Sequence, residues 1–373
     1  MKNVGILSMQ RVANYGSFLQ AYALKQLLLQ NGAENVFFID IKPGLGVNKI
    51  DQSFLKRIVS FFFRVIGKGL SGQLFTYLRE KRFQDRLVPM FNDKFYPMLE
   101  LEKQFPGIFD LVVIGSDEVF NCTQRCSWGF STQLFGDIPN AKKIISYAAS
   151  FGHSTYEQIV AMGYDGEIRK NLKNLKAISV RDENSLSIVG KMMPDNAIPV
   201  FTHLDPVLIY DYSPMISRYP ISRKDYIIIY SYNGRIKSRD EVAAIIGFAK
   251  ARHLKIYSIY SAYSWCDEAL YPCDPFEIIS YFRNADFIVT DTFHGAVLSI
   301  ITESRFGVLM RDSNQQKISS LLKQFDLSSR IAVSPKTLPE ILETPINYAE
   351  VGNVLARCRS EANQYLKQML AEE

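Results

Sequence analysis

The chain has 373 residues, enough for two domains of ordinary size, and 47% hydrophobic with 22% charged residues is the profile of a soluble globular protein. A net charge of +5 suits an anionic substrate or an anionic membrane surface, and it falls well short of the dense basic stripe of a nucleic-acid binder. The opening MKNVGILSMQ has neither the long apolar run nor the cleavage site of a secretion signal, and no stretch reaches the eighteen or so apolar residues that span a bilayer. Five cysteines without a repeated pattern (Cys122, Cys126, Cys266, Cys273, Cys358) fit free thiols in a reducing, cytoplasmic compartment. Cys122 and Cys126 have no partner pair or histidines at finger-like spacing, so no metal site is expected.

In chain order, Asn3 to Ser8 reads as a strand, Asn14-Tyr15-Gly16-Ser17 as a turn with capping chemistry, and Phe18 to Gln30 as a helix stopped by Gly32. A second apolar run, Asn35 to Ile41, completes a strand–helix–strand unit of a parallel sheet. Residues 54–86 then carry Lys56, Arg57, Arg64, Lys68, Arg79, Lys81, Arg82 and Arg86 against Glu80 and Asp85, with aromatics interleaved. Such a segment fits either helices packed on the first domain or a helical face on an anionic membrane. Asp110–Gly115, Ile144–Ser150 and Ala177–Arg181 are continuous apolar strands of the kind covered on both faces.

Around Asp205-Pro206 to Pro220 the pattern breaks, which sets domains at 1–208 and 209–373. The second half repeats the alternation. Strands are predicted at Tyr226–Tyr232, Lys255–Tyr260, Asp286–Asp291 and Arg305–Met310, and helices at Asp240–Arg252, Pro275–Ala285 and His294–Thr302. The last helix is a candidate to pack back on the first domain. Two doubly wound α/β units in series predict a cleft between them, with ligands at the carboxyl ends of the strands.

Four motifs fall at such strand ends. Asn14, Tyr15 and Gly16 open a helix, where N–H groups either meet a ligand or are simply capped. Ser116 and Asp117 follow a buried strand, and Asp117 either accepts a proton from a substrate hydroxyl or caps a following helix; Asn121 extends that polar edge. Arg181 offers a fork for a carboxylate or phosphate, with an ion pair to Asp182 or Glu183 as the alternative. His294, between Asp291-Thr292-Phe293 and Gly295, projects from a strand-to-helix turn beside outward N–H groups, either as an anion site with a titratable group or as a histidine that merely hydrogen-bonds a neighbour.

Together NYGSFLQAYAL (Asn14 to Leu24), DLVVIGSDEVFN (Asp110 to Asn121), SYAASFG (Ser146 to Gly152), ISVRDENS (Ile178 to Ser185), DPVL (Asp205 to Leu208), TDTFHGAVLSI (Thr290 to Ile300) and the tail Lys317 to Arg330 resemble the polysaccharide pyruvyl transferase family. The resemblance implies two Rossmann-like doubly wound domains in the GT-B glycosyltransferase arrangement. It implies phosphoenolpyruvate as donor, no cofactor, and a glycan or lipid-linked oligosaccharide as acceptor; if residues 54–86 are a surface anchor, the acceptor is expected at the inner face of the cytoplasmic membrane. It assigns His294 as the essential histidine, and the ketal chemistry adds Asp117 as the acceptor of a hydroxyl proton. Arg181, Thr292, Gly295, Arg311 and Lys317 fall to the donor, and Asn14, Tyr15, Gly16, Ser116 and Asn121 to the acceptor. Some members carry an arginine where this chain has Thr292, so donor charge is expected from Arg181, Arg311 or Lys317. A nucleotide-sugar glycosyltransferase and a non-catalytic glycan-assembly protein are the competing readings on the same fold.

Overall fold

Strands that are apolar along their whole length can only be used where both faces are covered, and the computed structural model places them in two parallel sheets. It describes residues 2–44, 72–124, 126–195, 198–232, 234–270 and 274–371. In the first unit, β1 (Asn3–Leu7) lies between β2 (Asn35–Ile39) and β3 (Leu111–Ile114), and β3 pairs with β4 (Ile144–Ser146). Bridges from Ile145 to Ala177 and from Ala149 to Val180 carry this sheet on to the parallel pair β5 (Ile178–Val180) and β6 (Val200–Thr202).

The second unit is a six-stranded parallel sheet in the order β12-β11-β10-β7-β8-β9. Its strands are β7 (Tyr226–Tyr230), β8 (Lys255–Ile259), β9 (Glu268–Leu270), β10 (Phe287–Thr290), β11 (Phe306–Leu309) and β12 (Ile331–Ala332). The principal helices are α1 (Tyr15–Gln30), α2 (Gly72–Met90), α3 (Glu183–Met192), α4 (Arg239–Ala251), α5 (Pro275–Asn284), α6 (Phe293–Ile301), α7 (Gln315–Gln324) and α8 (Tyr348–Ala371).

Two expectations are corrected here. The strand predicted over Ile144–Ser150 ends at Ser146, because Ala148 turns to φ 48° and gives its N–H to Ser179 Oγ instead of the ladder. No helix follows Asp117; its φ is 79°, and its Oδ1 accepts the N–H of Glu118 within a turn. The basic segment divides: 54–71 lies outside the described residues, and from Gly72 onward the chain is helical. On α2, Leu78 and Val88 are exposed beside exposed Lys81 and Arg82, while Phe83, Leu87 and Met90 are buried. Among the described residues no helix is long and apolar enough to cross a membrane.

The two units share one core. Tyr15 of α1 packs against Phe91, Phe95 and Tyr260, and Phe18 and Tyr22 both pack edge-on to Phe276. Tyr212 donates its hydroxyl to the Leu19 carbonyl. Helix α8 spans both units, with Val351, Leu355, Cys358, Ala362, Tyr365, Leu366 and Met369 buried along one stripe at helical spacing. At one end the Tyr348 hydroxyl meets the Ser304 carbonyl, and at the other Tyr365 donates to Ser146 and Asn363 accepts from Asn31.

Under α8, the ring of His203 lies between Tyr147 and Tyr365, with Nδ1 2.8 Å from Ser179 Oγ. Burial lowers its pKa to about 4. A folded-state value below the unfolded one means that the unfolded chain binds the proton first as pH falls. The stability is therefore complete above about pH 6.5 and is lost toward pH 4, a change of about 3 kcal/mol by the lower limit. Urea unfolding between pH 7 and 4 should show a shallower decline in His203→Gln than in the parent, and parallel declines would refute this account of the ring.

Candidate active site

Each functional side chain is delivered by a strand end or a helix cap. The end of β3 supplies Ser116, Asp117 and Glu118, the end of β5 supplies Arg181, and Asp205 follows β6. From the second unit, the corner between β10 and α6 supplies His294, and α7 supplies Lys317.

Arg181 is almost wholly buried. Its Nη1 lies 2.6 Å from Asp205 Oδ2, its Nη2 lies 3.8 Å from Asp117 Oδ1, and its guanidinium sits 4.2 Å from the Phe293 ring centre. Burial disfavours its charge, but Asp205 and Asp117 outweigh that and hold it firmly cationic. Asp117 also accepts the Ser17 hydroxyl at 2.8 Å. Across the mouth, Glu118 forms an ion pair with Lys317 and accepts Asn121 Nδ2 at 2.8 Å. Burial raises the Glu118 carboxyl, yet Lys317 wins and brings it to about 2.

His294 meets this group from the second unit. Its Nε2 is 3.7 Å from Asp205 Oδ2, is buried, and has no hydrogen-bond partner. Burial pushes the imidazole below the ordinary histidine value, Asp205 and Asp117 oppose this, and Arg181 and Lys317 add to it. The net direction is downward, so the ring is neutral at pH 7.

Gly16, expected at an acceptor contact, has a different task. A Cβ on Gly16 would stand 2.1 Å from His294 Nδ1, so the glycine is what lets the histidine of one unit lie against the first turn of α1 in the other. Gly16→Ala is expected to displace the ring and lower activity about 10²-fold, with little loss of stability if the ring can swing aside. A steady-state assay paired with a melting curve checks this, and unchanged turnover would break the link between Gly16 and the site.

The remaining predicted residues divide sharply. Asn14 caps α1, accepting from Gly16 and Ser17, and donates to the Tyr232 hydroxyl across the interface. Tyr15 is buried among aromatic rings. Ser116 Oγ reaches Asp205 Oδ2 at 3.3 Å, inside the cluster. Asn121 braces Glu118 through Nδ2, while its Oδ1 accepts from Ser154 and Thr123. Thr292 caps α6 by accepting the Gly295 N–H, and Gly295 is glycine because a Cβ would lie 1.9 Å from Thr290 Oγ1. Both of these shape the corner without facing the cluster. Arg311 is taken by Asp291 at 3.1 Å and Glu241 at 2.6 Å, which leaves its charge already neutralised.

Sequence reasoning passed over Asp205, Glu118 and Ser17. Asp205 opens the DPVL piece of the family resemblance and precedes a proline at the domain boundary, with no site role read from either, yet it caps the turn Pro206–Ile209 through Oδ1 and presents Oδ2 to the cluster. Among the described residues no group of three His, Cys, Asp or Glu side chains is placed to hold a metal ion. The hollow lined by Arg181, Asp182, Asp205, Phe293 and Lys317 has room for about one water molecule.

Two parallel α/β units meeting at the carboxyl ends of their strands define the GT-B class of fold. Comparison with solved structures agrees. A UDP-forming alpha,alpha-trehalose-phosphate synthase from Burkholderia xenovorans superposes with a TM-score of 0.53 at 9% identity, over 99% of this chain and 98% of that one. A second trehalose-6-phosphate synthase, OtsA, gives 0.51 at 10% identity over 100% of both chains. Identities this low establish the fold and nothing further. No curated protein matches the chain in sequence. The family model described as polysaccharide pyruvyl transferase matches residues 14–313, and the chain belongs to that family of transferases.

Proposed function

We propose that the protein transfers the enolpyruvyl unit of phosphoenolpyruvate to a sugar of a bacterial polysaccharide or lipid-linked oligosaccharide, giving a pyruvate ketal and inorganic phosphate. The observation that carries this reading is the unpartnered, buried His294 Nε2 lying 3.7 Å from Asp205 Oδ2, the carboxylate that also holds Arg181, with Asp117 on the other side of that guanidinium.

Ketal formation needs a proton on the methylene carbon of the donor, a sugar hydroxyl added to the neighbouring carbon, and a second hydroxyl in place of the departing phosphate. The donor brings a phosphate and a carboxylate, whose negative charge favours the imidazolium form of His294. His294 then gives its proton to the methylene carbon or to the leaving phosphate, and Asp117 takes the hydroxyl proton as the ring closes. Arg181 and Lys317 are the cations nearest the histidine, and the donor enters by parting Lys317 from Glu118. No cofactor takes part. The exposed Leu78 and Val88 beside Lys81 and Arg82 on α2 favour peripheral contact with the anionic inner face of the cytoplasmic membrane, where a lipid-linked acceptor resides.

The test is incubation with labelled phosphoenolpyruvate and the candidate glycan, followed by mass spectrometry. Label retained as a ketal supports the reading. Thermal stabilisation by a nucleotide sugar but not by phosphoenolpyruvate, with glycosyl transfer in place of ketal formation, would overturn it.

A further inference from the structure

Asp205 has no task in the transfer chemistry just described, yet both halves of the site meet at its carboxylate. It is fully buried. Its Oδ2 lies 2.6 Å from Arg181 Nη1, 3.3 Å from Ser116 Oγ and 3.7 Å from His294 Nε2. Its Oδ1 is pinned at 3.1 Å by the Val207 N–H, and the turn Pro206–Ile209 behind it packs on both α1 and α6, so the carboxylate is fixed relative to both units. The charged groups facing the His294 ring are Asp205, Asp117 and Arg181 from the first unit and Lys317 from α7. Lys317 is engaged by Glu118 and Arg181 by Asp205 itself. The histidine's unpartnered Nε2 is within 1 Å of hydrogen-bonding distance to a carboxylate already committed elsewhere.

We propose that Asp205 is a positioning residue that couples donor binding to the histidine: its carboxylate holds Arg181 in the free protein and, once the donor's anionic group draws on that guanidinium, holds His294 as the imidazolium the transfer requires. The proton taken up from solvent goes to the donor's methylene carbon; of the two protons released by the sugar hydroxyls, one leaves on the phosphate and the other returns to solvent through Asp117, so each turnover balances. This inference rests on the pyruvyl-transfer reading for its kinetic consequence only.

Three measurements test it. In Asp205→Asn, loss of the carboxylate leaves the imidazolium less favoured, so the alkaline fall in kcat/KM should move to lower pH. The expected loss is about 10²-fold at pH 8 and clearly less at pH 6; a loss equal at every pH, as a purely structural residue would give, overturns the proposal. Histidine NMR titration of the free protein, with His294 identified by its absence in His294→Gln, should move to lower pH in Asp205→Asn, and an unmoved titration overturns the proposal as well. If the variant fails to fold, calorimetry of phosphoenolpyruvate binding to the parent in buffers of different ionisation enthalpy still decides: uptake of about one proton at pH 8 is expected, and none would be fatal. Should the titration move while the parent transfers no pyruvate to any glycan, the coupling stands and the functional reading falls.

Discussion

His294→Ala is expected to lose pyruvate transfer by about 10²- to 10⁴-fold while remaining folded and able to bind acceptor. The ring is the group that carries a proton to the donor, while Asp117 receives the one from the hydroxyl. Arg181 is locked cationic by two carboxylates, and Glu118 is held ionised by Lys317. Its stability cost should be modest, because Nε2 makes no hydrogen bond in the free protein and nothing polar is orphaned by its removal. His294→Gln keeps most of the volume and should be equally inactive, which separates lost proton transfer from lost packing. A variant that melts with the parent and turns over at near-normal rate would remove His294 from the mechanism. Because the ring is neutral before the donor arrives, the loss should appear in kcat and kcat/KM together, as for a group that acts only on the way to the transition state.

How much of this was legible in the chain follows from which forces are local. The parallel strands could be read because continuous apolar runs such as Leu111–Ile114 and Phe287–Thr290 have no other stable use than burial on both faces. Helix starts were legible through residues suited to a first turn, as at Pro275, where the predicted and observed helices agree to a residue. The strand predicted through Ser150 failed because Ala148 leaves the ladder for a side-chain acceptor, Ser179, that lies far away in sequence. The same distinction divides the site. Asp117, Arg181 and His294 stand out because each follows a strand at its carboxyl end. Asp205 could not be recognised this way, since its importance lies in three partners contributed by β3, β5 and α6, and no local pattern encodes that meeting. Gly16 was noticed as a glycine at a helix start that lets a ligand approach; the structure adds that it admits the imidazole of the other unit, a contact no local pattern encodes. Arg311 is the converse case. A strand-end arginine reads like an anion site, but Glu241, 70 positions away, already occupies it.

Arg181→Met should be the most destabilising single change in the site. The side chain has nearly the right volume for its slot against Phe293, so packing is largely kept and the result isolates the charge. What it strips away is the cation facing Asp205 and Asp117, both buried within the shared core. Breaking a buried pair from one side typically costs 3–5 kcal/mol, because the partner is left ionised without compensation. For a protein of 373 residues that corresponds to a fall in Tm of about 5 °C. Arg181→Lys restores a charge but not the fork: one ammonium cannot meet Asp205 at 2.6 Å, turn toward Asp117 at 3.8 Å and lie flat on a ring. It should therefore recover most of the Tm and little of the transfer rate, with KM for phosphoenolpyruvate raised. Adding Asp205→Asn to Arg181→Met should recover part of the lost stability, since the orphaned carboxylate goes with it. Strict additivity of the two losses would mean that Arg181 and Asp205 do not act as a pair, and a Tm unchanged by Arg181→Met would mean that the guanidinium is not held in the buried arrangement described.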